Sequence, residues 1–144
     1  MKAVANSSVL IGLSTIGQIS LLSRRFPEGI LVPTAVWREV VESGAGQPGA
    51  AEVAAARWIT VQAVNDLARV SLLRAELDEG EAEAIALAWE TQASPVLLDE
   101  KDARRAARRL KLPVLGTVGI LVWARRAGLI SNLREQLDAL EMQA

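Results

Sequence analysis

Cysteine and histidine are both absent from the 144 residues. Without cysteine there are no disulfides and no thiol chemistry, a composition that fits a reducing cytoplasm. Without histidine there is no imidazole acid–base catalysis, no histidine metal ligand and no Ser-His-Asp arrangement. Enzymatic chemistry would have to come from carboxylates, lysine or hydroxyls. A catalytic metal would have to be held by oxygens, which points to Mg²⁺ or Mn²⁺ rather than structural zinc. Tyrosine is missing too and phenylalanine occurs once, so base stacking can hardly dominate recognition of a nucleic acid. A net charge of −1 leaves no global basic footprint, and any such surface must be local. No apolar run is long enough to span a membrane. The start, MKAVANSSVLIGL, is interrupted by Asn6, Ser7 and Ser8 and is not expected to act as a signal peptide.

What the chain does have is a 51% hydrophobic composition, enough for a core in one domain over residues 1–144. Apolar runs at Ala3–Ala5, Ile30–Val32, Val96–Leu98 and Pro113–Leu115 read as strands, and Trp58–Val64 as an extended segment. Between them, helical spacing is expected from Ser7 to Ile16, Ile19 to Phe26, Thr34 to Ser43, Ala50 to Ala56, Leu67 to Leu77 and Asp78 to Gln92. Helices are also expected after Asp99 to Leu110, from Val118 to Ala127, and in a last segment capped by Ser131. The alternation predicts a three-layer α/β fold, a mostly parallel central sheet with helices on both faces. GAGQPG at Gly44–Gly49 matches GxGxxG literally. It follows a helix and contains Pro48, so it reads as a loop and not a dinucleotide fingerprint.

The stretch VLLDEKDARRAARRL, Val96 to Leu110, is the centre of the functional reading. Asp99 stands where a buried strand ends, the place where open α/β sheets bind ligands; it also fits a plain helix N-cap. In the helix that follows, Ala103, Ala106, Ala107 and Leu110 form an apolar stripe. Lys101, Arg104, Arg105, Arg108 and Lys111 lie opposite, as a solvated face or an RNA-backbone surface. Asn6 ends the first strand. Glu39 borders the apolar face of its helix beside Val36. Glu81 heads a stripe of Ala84, Ile85 and Ala88, where a carboxylate needs a partner; snorkelling and a metal or proton-relay role both remain open. Glu79, Glu83 and Glu90 read as a solvated face, although Glu83 could serve in place of Glu81. Three carboxylates gathered over strand ends repel one another, and a divalent cation relieves that repulsion.

Taken in order, NSSVLIGLSTIG, LVPTAVWREVV, GAGQPGA, LDEGEAEAIALA, VLLDEKDARRAA and LPVLGTVGIL resemble PIN-domain proteins, in particular the VapC-type toxins. The likeness covers nearly the whole chain; single motifs are weak and the ordered set is specific. It implies a small doubly wound α/β fold and Mg²⁺- or Mn²⁺-dependent cleavage of RNA. It further implies a homodimer and a small cognate antitoxin protein encoded beside the toxin. Metal-site roles carry over to Asn6, Glu39, Glu81 and Asp99, the three acids being catalytic. Thr117 is implied as a water or phosphate contact. Active relatives usually have aspartate where this chain has Asn6, so the alternative is a catalytically weakened PIN-like binding or assembly module. A receiver or phosphatase of similar topology is poorly supported, because Asn6-Ser7-Ser8 supplies no paired aspartates. Trp37, Trp89 and Trp123 are the aromatics available to an interface, with core burial the simpler expectation.

Overall fold

The computed structural model describes residues 2–143. Its five strands are β1 (Ala3–Ala5), β2 (Ile30–Pro33), β3 (Ile59–Gln62), β4 (Val96–Leu97) and β5 (Val114–Leu115). All neighbours pair in parallel, in the order β3-β2-β1-β4-β5. The predicted α/β class is what is found, with a sheet that is parallel throughout.

Side-chain alternation along the strands builds two cores. Ala3, Ala5, Ile30, Val32 and Leu97 join Leu10, Leu13, Ile120 and Leu121 in one. Val4, Leu31, Val96 and Leu98 join Ile85, Leu87 and Ala103 in the other. The first core belongs to helices α1 (Ser7–Thr15), α2 (Leu21–Arg25), α8 (Thr117–Arg126) and α9 (Leu133–Gln143), and the second to α5 (Leu67–Leu73), α6 (Glu79–Thr91) and α7 (Lys101–Arg109). Strands buried on both faces are apolar at every position, as parallel sheets require.

The connections out of β1 and β2 step one way across the sheet, and the connection into β4 returns to the other side of β1. The carboxyl ends of β1 and β4 therefore flank the topological switch point, where open α/β sheets leave a crevice.

Several local expectations are corrected. The segment expected as one helix from Thr34 to Ser43 is α3 (Thr34–Trp37) followed by a π-helical turn, Arg38–Glu42. The Ser43 amide donates to the Arg38 carbonyl at 2.7 Å. A Cβ on Gly44 would lie 2.5 Å from the Val40 carbonyl oxygen and 2.9 Å from that of Glu39, so the wide turn closes only against a glycine. A short helix α4 (Ala50–Ala55) follows. The helix expected to reach Leu77 stops at Leu73. The last helix is capped by Asn132, whose Oδ1 accepts from the Glu135 amide, and not by Ser131. Trp89 is 38% exposed beneath the Arg69 guanidinium, while Trp37 and Trp123 are half-buried. Among the described residues no helix is long and apolar enough to cross a membrane.

Candidate metal and catalytic site

A cavity of about 660 Å³ opens at the switch point, and Asn6, Glu39, Glu81 and Asp99 all line it. Asn6 directly follows β1, and its amide continues the ladder by donating to the Leu97 carbonyl. It occupies the N-cap position of α1, yet its side chain makes no capping bond. It is 4% exposed, and among the described residues Oδ1 accepts only a long 3.5 Å bond from the Ser7 hydroxyl. The amide oxygen is thus left facing the cavity.

Glu81 owes its burial to local chemistry. Asp78 is the N-cap of α6 and Glu81 its third residue, forming a reciprocal capping box. The Glu81 amide donates to Asp78 Oδ1 at 2.8 Å, and the Asp78 amide donates to Glu81 Oε1 at 3.1 Å. Folding back in this way satisfies two amides at the helix start and draws the carboxylate inward. Glu81 Oε2 accepts no hydrogen bond among the described residues. Burial raises the Glu81 pKa above the ordinary glutamate value. The Asp78 amide bond opposes this, and the charges of Asp78, Glu100 and Glu39 add to it. Accumulated negative charge is the part of that shift a cation would reverse.

Glu39 sits in the exposed π turn. Its Oε2 and Asn6 Oδ1 both approach the bare Cα of Gly80; a Cβ there would lie 3.3 Å from the first and 3.2 Å from the second. Asp99 does not cap its own helix, which has Glu100 at that position. Both its oxygens instead accept from Thr117, Oδ1 from the amide and Oδ2 from the hydroxyl, each at 2.8 Å. Asp99 therefore ties the start of α8 to the end of β4. The hydroxyl of Thr117, singled out as a water or phosphate contact, donates its proton to Asp99 and keeps its acceptor lone pairs.

Of the three arginines offered as an RNA surface, Arg104 lines the cavity. Arg105 faces a separate hollow with Glu76, Asp102 and Arg109, and Arg108 is exposed. Glu83 is not on the cavity; it accepts from the Ala35 amide at 3.0 Å and holds the start of α3. Glu90 likewise accepts from the amides of Asn65 and Asp66. Of the face read as solvated, only Glu79 is exposed, paired with Arg74.

Sequence reading passed over Asp78 and Glu100, which also line the cavity. The D-x-x-E spacing of Asp78 and Glu81 is the capping-box signature that could have found the first. It also passed over Ser8, whose buried hydroxyl has no hydrogen-bond partner among the described residues.

Among the described residues no three acidic side chains converge tightly enough to enclose an ion. The donors are nonetheless all hard oxygens, and an amide oxygen and a carboxylate oxygen share one face at Gly80. That looser set fits Mg²⁺, which keeps several waters and takes only one or two carboxylates.

A family model described as PIN domain (DUF3368) matches residues 2–144. Among solved structures, a PilT N-terminus domain protein from the hyperthermophilic archaeon Sulfolobus solfataricus P2 aligns with a TM-score of 0.58 at 20% identity. The alignment covers 92% of this chain and 96% of that one; at that identity the likeness is one of fold. No curated protein matches.

Proposed function

The chain belongs to the PIN-domain family, and from that premise we propose that it is a metal-dependent endoribonuclease of the VapC-like toxin type. The family supports nuclease chemistry in general. The observation that carries the finer reading is the meeting of Asn6, Glu39, Glu81 and Asp99 on one cavity, although they are far apart in the chain. From this set, one or two carboxylates with the Asn6 amide oxygen would hold Mg²⁺ or Mn²⁺, and water would complete its shell. When bound, such an ion supplies Lewis-acid stabilisation of the charge that develops on phosphodiester oxygens.

The chain's own residues supply the rest. Thr117 fixes Asp99 in one orientation through two bonds, so the carboxylate is positioned before substrate arrives. Glu81 Oε2 accepts no hydrogen bond among the described residues, which leaves it open to the ion or to water entering the cavity. The basic face of α7, with Arg104, Arg105 and Arg108, supplies phosphate contacts. The partners of this reading are an RNA substrate, a second copy of the chain and a small cognate antitoxin, in a cytoplasmic setting that the cysteine-free composition favours. The test is cleavage of RNA by the purified protein: activity with Mn²⁺ and its loss in EDTA are expected. Cleavage indifferent to EDTA would overturn metal dependence, and no cleavage under any divalent cation would overturn the nuclease.

Asn6 favours a second reading, a weakened PIN-like binding or assembly module. It removes one negative charge from the ligand set, and cation affinity scales with ligand charge. Isothermal titration of Mn²⁺ is expected to give roughly tenfold or tighter binding to Asn6→Asp than to wild type. Equal and tight binding by both proteins would discard the weakened-site reading.

A further inference from the structure

The cavity has a second, apolar end that the ligand set does not explain. Ile11, Val118 and Leu140, from α1, α8 and α9, line it together with Gly12. Val118 is 54% exposed. Gly12 stands in the middle of α1, where glycine is the poorest ordinary helix former. No crowding requires it. A Cβ at Gly12 would meet Leu140 Cδ2 at 3.7 Å and Thr117 Oγ1 at 3.8 Å, which are ordinary contacts. Alanine would therefore fit and would strengthen the helix. The missing methyl group leaves a shallow notch bounded by Leu140 and Thr117, at the point where the aliphatic wall meets Thr117 and, through it, Asp99. Local rules of stability tend to be broken where a site needs the room.

On the acid side of that junction, Arg104 packs its guanidinium over Gly116, the residue before Thr117; a Cβ on Gly116 would lie 2.8 Å from Arg104 Nη1. Arg104 forms no ion pair among the described residues. One cavity thus presents, side by side, an aliphatic shelf and a guanidinium that forms no ion pair among the described residues, with Asp99 Oδ1 flanking that same Cβ position of Gly116 at 2.9 Å. An RNA strand carries that same pair of features, a phosphate next to the flat face of a base.

We propose that the aliphatic end is a nucleobase subsite, floored by Gly12 and walled by Ile11, Val118 and Leu140, with Arg104 holding the adjoining phosphate. This rests on the RNA-cleaving reading and sharpens it by placing a subsite for one unpaired, unstacked base beside the acids.

The test is fluorescence anisotropy in EDTA, which separates binding from turnover. Two probes of equal length are used, a single-stranded oligouridylate and the same ribose-phosphate backbone without bases. Wild type is expected to bind the first about tenfold tighter. Gly12→Leu, which fills the shelf, is expected to bring the oligouridylate down to the level of the abasic backbone and leave the latter unchanged. Gly12→Ala is expected to raise Tm by roughly 2–4 °C while weakening only the oligouridylate. Arg104→Ala is expected to weaken both probes equally and to lower the salt slope by about one.

Equal binding of the two probes by wild type, alongside Mn²⁺-dependent cleavage, would overturn the subsite and leave the nuclease standing. Undiminished oligouridylate binding by Gly12→Leu would also overturn it and give the shelf to an apolar protein segment instead. A wild type that neither binds nor cleaves RNA would remove both readings.

Discussion

Asp99→Asn is expected to lower RNA cleavage by roughly two orders of magnitude or more while leaving the fold in place. The reason lies in the two tasks that one side chain performs. Asp99 holds the start of α8 by accepting from the Thr117 amide and hydroxyl, and it also presents its charge to the cavity. An asparagine of the same shape keeps an acceptor for the amide. Its NH₂ group can donate to the Thr117 oxygen, because a hydroxyl rotates to accept as readily as it donates. The tether survives and the negative charge does not. Asp99→Ala removes both, leaving the first amide of α8 without its acceptor, at a cost of about 1–3 kcal/mol. Thermal unfolding and single-turnover cleavage of the two variants separate the tasks. Asparagine should unfold close to wild type and alanine well below it, with both inactive. An asparagine variant that still cleaves with Mn²⁺ would reduce Asp99 to a structural clasp, and the carboxylate site would lose its best-oriented member.

That double role marks the limit of reading the chain by local pattern. Strand positions were readable because burial on both faces leaves only apolar residues, as at Ala3–Ala5 and Ile30–Val32. Asp99 was readable as a residue at a strand end. Its partner was not, since Thr117 opens α8, beyond α7 and β5, and only the closed sheet brings the two together. Glu83 and Glu90 were misread for the same reason. A helical wheel shows that they face away from the apolar stripe, but it cannot show that the amides of Ala35, Asn65 and Asp66 wait there. The π turn at Arg38–Glu42 escaped because it depends on a close approach of carbonyls that Gly44 permits, which carries no periodic signature. Asn132 and Ser131 are equally good caps by residue type, and one residue of helix phase decides between them. The family likeness rests on the order of motifs and so tolerated all of these local errors.

Glu81→Gln is expected to produce a protein that is more stable than wild type without metal and no longer stabilised by metal. Burial is the main reason that Glu81 holds its proton above the ordinary value, reinforced by the charges of Asp78, Glu100 and Glu39. The sign follows from linkage. A carboxyl whose pKa is raised on folding stabilises the fold fully below its unfolded value of 4.5, and loses that contribution as pH rises through the folded value. Above that folded value the ionised group is therefore a burden on the metal-free fold. Glutamine lifts it, because its Oε1 still accepts from the Asp78 amide and the capping box is kept. The Tm advantage of the variant in EDTA should be greatest at pH 7 to 8 and shrink towards pH 4, where wild type is protonated. Mn²⁺ reverses the order. At a hundred times its dissociation constant a bound ion adds about 2.7 kcal/mol to a protein that holds it, and a variant stripped of a carboxylate ligand should gain far less. The two melting curves should thus exchange places between EDTA and Mn²⁺, while cleavage by the variant falls with its affinity for the ion. If Glu81→Gln melts below wild type in EDTA across the whole range, the extra strength that the carboxylate's charge gives the bond from the Asp78 amide outweighs the penalty of burying it. Glu81 would then be buried to hold its helix, with no electrostatic strain waiting for a cation to relieve it.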